Sequence, residues 1–261
     1  MENPVIQIHN LKKSFKNQEV LKGIHLEVKA GEVIGYLGSN GAGKSTTVKI
    51  LCGVLHDFEG DIHILGHDLR QEDTAIKKRI GYIPENAVMY EQLTPMEYLE
   101  FTSSLYGLSP DVARQKSYDL LELFEMKNFR NDRMLNFSKG MKQKIHIISG
   151  LLHHPDLLFM DEPLNGLDAN AVIMVKEMIS QLSKEGKTIF YCSHLMDVVE
   201  RISSRIILLN EGQIIADGTI EALKQESDST SLEHLFSKRT GMINPIEKAE
   251  KIIHVFEKEN Q

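Results

Sequence analysis

The chain has 261 residues, of which 41% are hydrophobic and 26% charged, with a formal net charge of −7. That length can bury a sizeable core in one large domain or a domain with a sub-domain, and the acidic balance argues against broad electrostatic capture of nucleic acid. No apolar run nears the roughly 20 residues of a helical membrane span, and the two cysteines, Cys52 and Cys192, lack metal-site spacing and read as free thiols of a reducing cytoplasm.

The first residues, MENPVIQIHN, carry neither a signal-peptide pattern nor an obvious lipidation signal. Val5 to Leu11 and Val20 to Val28 alternate apolar and polar residues and read as antiparallel strands. Glu32 to Leu37 is a short apolar strand. It is followed by Gly38-Ser39-Asn40-Gly41-Ala42-Gly43-Lys44-Ser45-Thr46, and then by a helix predicted over Lys44 to Leu55, apolar at Val48, Leu51, Val54 and Leu55. Gly60 to Leu65 is another strand, turning at Gly66-His67, and Arg79 to Pro84 is a strand stopped by its proline.

From about Val88 to Leu152 the pattern turns helical, with Tyr98, Phe101 and Leu105 and then Leu120, Leu121 and Phe124 on helical spacing. This block, 88–152, interrupts a strand–helix alternation and reads as an inserted helical sub-domain. Strands resume at Leu157 to Met160, Thr188 to Cys192, Ile206 to Leu209 and Gln213 to Ala216, the last two forming a hairpin around Asn210-Glu211-Gly212. Asp228 to Ser231 is a polar loop. Asn244-Pro245-Ile246-Glu247 fits a helix start, and Ile246, Ala249, Ile253 and Phe256 make an apolar stripe along 241–261, to pack on the parent domain or to dock a partner.

The run from Gly38 to Thr46 is a phosphate-binding loop, G-x-x-x-x-G-K-S, between a strand and a helix. Its glycines let several amides point into one concavity, where the helix N-terminus adds positive partial charge. Lys44 would bridge β- and γ-phosphate oxygens, and the Ser45 hydroxyl would ligate magnesium. A second acidic element is needed, and Leu157-Leu158-Phe159-Met160-Asp161-Glu162 supplies it: an apolar strand with two acids at its C-terminal end, where parallel sheets bind ligands. Asp161 would hold the magnesium shell, and Glu162 would orient and deprotonate the attacking water. The expected fold is α/β, a P-loop NTPase with Mg2+; the phosphate loop alone fits many kinds of NTPase.

With further motifs in order, the chain resembles the ATP-binding subunit of ATP-binding cassette (ABC) transporters over residues 1–240. Gly81-Tyr82-Ile83-Pro84-Glu85 is placed like the Q-loop, and Phe137-Ser138-Lys139-Gly140-Met141-Lys142-Gln143 stands where the LSGGQ signature is found. The strand ending in Asp161-Glu162 is similar to Walker B, Leu164-Asn165-Gly166-Leu167-Asp168 to the D-loop, and Ser193-His194 to the switch histidine. The resemblance implies a RecA-like core with an antiparallel β subdomain and the helical insert. It implies that Phe15 stacks on adenine, that His194 contacts the γ-phosphate, and that Ser138 and Gly140, with Lys139 and Met141 beside them, reach the γ-phosphate of a second subunit in a head-to-tail dimer. Asp168 would communicate across that interface.

Three positions depart from the family pattern. Glu85 stands for the usual Gln; its carboxylate could ligate magnesium or a bound water, but near a triphosphate its charge is unfavourable unless metal offsets it. Lys139 replaces the first signature glycine and Met141 the usual Gln, forms that resemble the exporter-associated branch. The implied function is an ATP-hydrolysing motor that couples to separate integral membrane subunits, peripheral on the inner face of the cell membrane, with no nucleic acid partner. A soluble ABC ATPase acting on nucleic acid or ribosomes, and an ATP-sensing regulator, remain alternative readings.

Overall fold

The computed structural model describes residues 4–85, 89–227, 231–240 and 253. The helix expected over 241–261 therefore lies outside the described residues except at Ile253, as does the loop 228–230. In chain order the strands are β1 (Ile6–Phe15), β2 (Gln18–Val28), β3 (Val33–Gly38), β4 (Glu59–Ile64), β5 (His67–Asp68), β6 (Ile80–Ile83), β7 (Leu157–Asp161), β8 (Thr188–Ser193), β9 (Arg205–Asn210) and β10 (Gln213–Gly218). The helices are α1 (Lys44–Leu51), α2 (Asp73–Lys77), α3 (Pro95–Leu105), α4 (Pro110–Leu123), α5 (Lys139–Leu151), α6 (Ala169–Lys184), α7 (Met196–Ile202), α8 (Ile220–Ser227) and α9 (Leu232–Thr240).

The strands form two sheets. One runs β2-β1-β4-β5 and is antiparallel; the other runs β10-β9-β3-β8-β7-β6, parallel except for the β9–β10 hairpin. β3, β7 and β8 are buried at every position, as continuous apolar runs in a covered parallel sheet require. Side chains alternate across a strand, so each run feeds two cores. Ile34, Tyr36, Phe159 and Phe190 pack with α1 and the antiparallel sheet, while Val33, Leu37, Leu158 and Met160 pack with α5, α6 and the helical lobe.

α1 ends at Leu51, four residues before the sequence-predicted end at Leu55. The amides of Val54 and Leu55 both turn back onto the Lys49 carbonyl, at 2.8 and 3.1 Å, and close the last turn. β1 in turn runs on to Phe15, its register to β2 shifted by irregularities after Ile8, Leu11 and Lys13. That extension carries Phe15 to the same end of the fold as the phosphate loop.

Helices α3, α4 and α5 make up the lobe within 88–152. Thr94 caps α3: its hydroxyl accepts the Glu97 amide at 3.3 Å while the Glu97 carboxylate accepts the Thr94 amide at 2.8 Å, and Pro95 starts the helix. Leu99, Leu121, Ile145 and Ile148 point inward to the core they share with β7.

The ring of Phe190 lies between Tyr36, at 4.9 Å, and Phe159, at 5.7 Å, and ties β3, β8 and β7 together under the site. Phe190→Ala is expected to cost about 3–5 kcal/mol, read as a lowered urea midpoint. An unchanged midpoint would remove this ladder from its structural role.

Candidate functional site

Because β3, β8 and β7 run parallel side by side, their C-terminal ends at Gly38, Ser193 and Asp161 emerge along one edge. The loop from Gly38 to Thr46 curls at that edge. Gly43 has φ of 110°, a left-handed conformation that precedes α1 and that a side chain would strain. The buried Lys44 donates its Nζ to the Gly38 carbonyl at 2.7 Å and the Ser39 carbonyl at 3.1 Å, which folds the loop around the ammonium group.

Ser45 Oγ donates to Asp161 Oδ1 at 3.1 Å, joining the loop to the end of β7. Asp161 is 2% exposed. Burial pushes its carboxyl above the usual carboxylate range; the Ser45 hydrogen bond opposes this, the charges of Glu162 and Glu85 add to it, and Lys44 offsets part. Glu162 is 6% exposed. Its Oε2 accepts from Ser193 Oγ at 3.1 Å, and His194 Nδ1 lies 2.7 Å from its Oε1.

Lys44, Ser45, Glu162 and His194 line a cavity of about 500 Å³, with Asp161 and Ser193 behind them. Its walls are Phe15, Gln18 and Val20 from the β1–β2 hairpin, residues of the phosphate loop through Thr46, and Glu85, Glu162 and His194. The Phe15 ring is 44% exposed, with Lys13 Nζ 4.8 Å from its centroid. An exposed aromatic at a cavity wall offers a stacking face. Glu85 Oε1 accepts from Asn165 Nδ2 at 3.4 Å.

Ser138, Lys139, Gly140, Met141 and Asp168 are not among the residues lining this cavity. Ser138 caps α5, its Oγ accepting the Met141 amide at 3.2 Å. Gly140 sits so close to the 162–168 loop that a Cβ there would stand 2.4 Å from the Gly166 carbonyl oxygen. Asp168 caps α6 through the Ala171 amide at 2.9 Å and pairs with Lys144 at 3.2 Å, and these contacts hold its carboxyl below the usual range.

Among the described residues no group of three or more His, Cys, Asp or Glu side chains is arranged to hold a metal ion. The oxygens of Ser45 and Asp161, 3.1 Å apart beside a phosphate loop, instead suit a small hard cation that also takes phosphate oxygens. Ser193 and Asn165 received no role of their own in the sequence. The signals were weak: Ser193 is one residue from the strand-end histidine, and Asn165 reaches Glu85 only through folding.

The model of the ABC transporter family matches residues 21–165. The chain belongs to the ABC transporter family. It is 37% identical to the linearmycin resistance ATP-binding protein LnrL of Bacillus subtilis, over 82% of this chain and 69% of that protein. It is 34% identical to the ABC transporter ATP-binding protein NatA of the same organism, over 85% of this chain and 90% of that one. A solved ATP-binding subunit of an ABC transporter superposes with a TM-score of 0.84 at 31% identity, covering 90% of this chain and 99% of its own. An ATP-binding cassette solved as a dimer in a post-hydrolysis state with ADP and Pi shares the fold, at a TM-score of 0.77 and 24% identity, over 82% of this chain and 98% of its own. The chain is thus an ABC ATPase, a nucleotide-binding motor subunit of the P-loop fold.

In this ABC ATPase the raised pKa of Asp161 means that the folded state binds its proton more tightly than the unfolded state. At neutral pH the ionised, buried carboxylate costs stability, and the cost fades as pH falls through the raised pKa. Without nucleotide or divalent cation, Asp161→Asn is expected to raise the unfolding temperature most near neutral pH and less as the solution is acidified. A neutral-pH destabilisation, or a gain that grows with acid, contradicts this balance.

Proposed function

We propose that the edge shared by β3, β7 and β8 holds MgATP and hydrolyses it by in-line attack of water. The observation that carries this reading is the meeting of Lys44 and Ser45 with Asp161 and Glu162 at that edge. The loop amides and Lys44 bind the β- and γ-phosphates, and Phe15 stacks on the adenine. Ser45 and Asp161 hold Mg2+, with Glu85 facing the same volume; the cation, when bound, neutralises phosphate charge.

Glu162 takes a proton from the attacking water as its oxygen bonds the γ-phosphorus and the bond to the ADP oxygen breaks. His194 and Ser193 hold the two Glu162 oxygens from the side of β8. Water must sit where Glu162 can reach it, and His194 is placed to exchange its contact with Glu162 for one with the γ-phosphate.

The signature residues Ser138, Lys139, Gly140 and Met141, with Asp168, do not line their own cavity. In a head-to-tail dimer they complete the site of the second copy, the α5 N-terminus and the Lys139 ammonium adding positive charge at the γ-phosphate. Integral membrane subunits dock on the helical lobe beside Glu85, where the exposed rings of Tyr90 and Phe101 lie edge-to-face at 5.8 Å with exposed Leu105 nearby. Those subunits supply the pathway, and the ATPase sits peripherally on the inner face; no described helix is long and apolar enough to cross a membrane. Export is the favoured direction. Both LnrL and the daunorubicin resistance ATP-binding protein DrrA3 of Streptomyces coeruleorubidus, 30% identical over 89% of this chain and 74% of that protein, are named for drug resistance. The net charge of −7 favours no nucleic acid partner.

Glu162→Gln keeps the size of the side chain and removes the base. It is expected to bind ATP near normally, lose about 100-fold or more in turnover, and accumulate as an ATP-bound dimer by size-exclusion chromatography. Wild-type turnover by this variant would remove Glu162 from its role.

A further inference from the structure

Gln143 lies on the second turn of α5 with 3% of its surface exposed, and its Nε2 donates to the Pro163 carbonyl at 3.1 Å. Pro163 directly follows Glu162. The Glu162 backbone has φ of 48°, in the left-handed region that non-glycine residues rarely adopt. Such a conformation persists where its surroundings over-determine it.

Three hydrogen bonds do so here. The Glu162 amide donates to the Cys192 carbonyl at 2.9 Å, the Glu162 carbonyl accepts the Asn165 amide at 3.2 Å, and Gln143 holds the next carbonyl along. Pro163 has no amide hydrogen, so the Glu162–Pro163 peptide is held only through the Glu162 oxygen, and the Gln143 bond fixes the Pro163–Leu164 peptide that follows. The first two bonds are internal to the β7–β8 edge and its loop. The third comes from α5, the helix whose first turn carries Ser138 to Met141. Two further contacts dock α5 on the same loop: Gly140 against Gly166, and Lys144 with Asp168.

We propose that Gln143 is a positioning residue for hydrolysis: its amide holds the Pro163–Leu164 peptide, one step past Glu162, and so aims the carboxylate at the attacking water. The inference rests on the reading of Glu162 as the base. It gives α5 a second task besides presenting its N-terminus. A displacement of its first turn, where a second copy's nucleotide would bind, shifts the backbone that carries this copy's Glu162.

The test is steady-state ATP hydrolysis by the full chain, expressed per folded molecule, for wild type, Gln143→Leu and Gln143→Glu. Gln143→Leu fills the same space without a donor. It is expected to lower kcat about tenfold to 100-fold while KM for ATP stays within about twofold. Gln143→Glu can donate to the Pro163 carbonyl only when protonated, so its kcat relative to wild type is expected to fall as pH rises. If the role is merely structural, both variants lower the unfolding midpoint while kcat per folded molecule and its pH ratio stay level with wild type, and that result overturns the proposal. Glu162→Gln measured alongside separates the two ideas. An active Glu162→Gln removes the base assignment and this inference together, whereas an inactive Glu162→Gln beside a Gln143→Leu with wild-type kcat removes Gln143 alone.

Discussion

Asp161 and Glu162 stand side by side at the end of β7 with almost no exposed surface. Two buried carboxylates in sequence repel each other and lose hydration, and a fold keeps such a pair only where donors and cations answer it. Much of the site is that answer. Ser45 bonds Asp161, Lys44 lies in the loop beside it, and Ser193 and His194 take the two oxygens of Glu162. Order along the parallel sheet makes this possible, because β3 delivers the lysine loop, β7 the acids and β8 the serine–histidine pair at the same edge.

The parts of this arrangement that the sequence made legible are those encoded locally. The phosphate loop, the apolar run into Asp161-Glu162 and the β9–β10 hairpin carry their residue types at fixed short spacings. α6 is less legible: its buried stripe is only Ala171, Val175 and Ile179, with its other positions partly or fully exposed. Juxtapositions made by folding were not legible at all: Asn165 on Glu85, Gln143 on Pro163 and Lys142 on Glu91 span 80, 20 and 51 residues. The early end of α1 has a physical reason. Val54 and Leu55 continue the apolar spacing, but their amides close onto Lys49 and the helix stops.

The site is asymmetric in what it offers a nucleotide. The cavity is lined by Phe15, the phosphate loop, Glu85 and Glu162, while the signature turn on α5 is docked to the 162–168 loop and does not line it. Helix N-termini attract anions, and this one begins with Ser138 and Lys139 and has no acid in its first turn. In the proposed head-to-tail dimer such an end meets the triphosphate of another copy. In the proposed dimer, docking of α5 onto the loop that follows Glu162 is the route by which binding at one cavity would reach the base of the other.

The central claim is that each nucleotide is held between Lys44 of one copy and Ser138 of another. Subunit complementation tests it most directly. Lys44→Ala spoils the loop and Ser138→Arg spoils the signature, so each variant alone is predicted to hydrolyse little ATP. Mixed in equal amounts they can form a dimer in which an intact Lys44 meets an intact Ser138, and the account predicts hydrolysis well above the sum of the separate activities. A mixture that stays at that sum, with the two variants shown to associate, would contradict it.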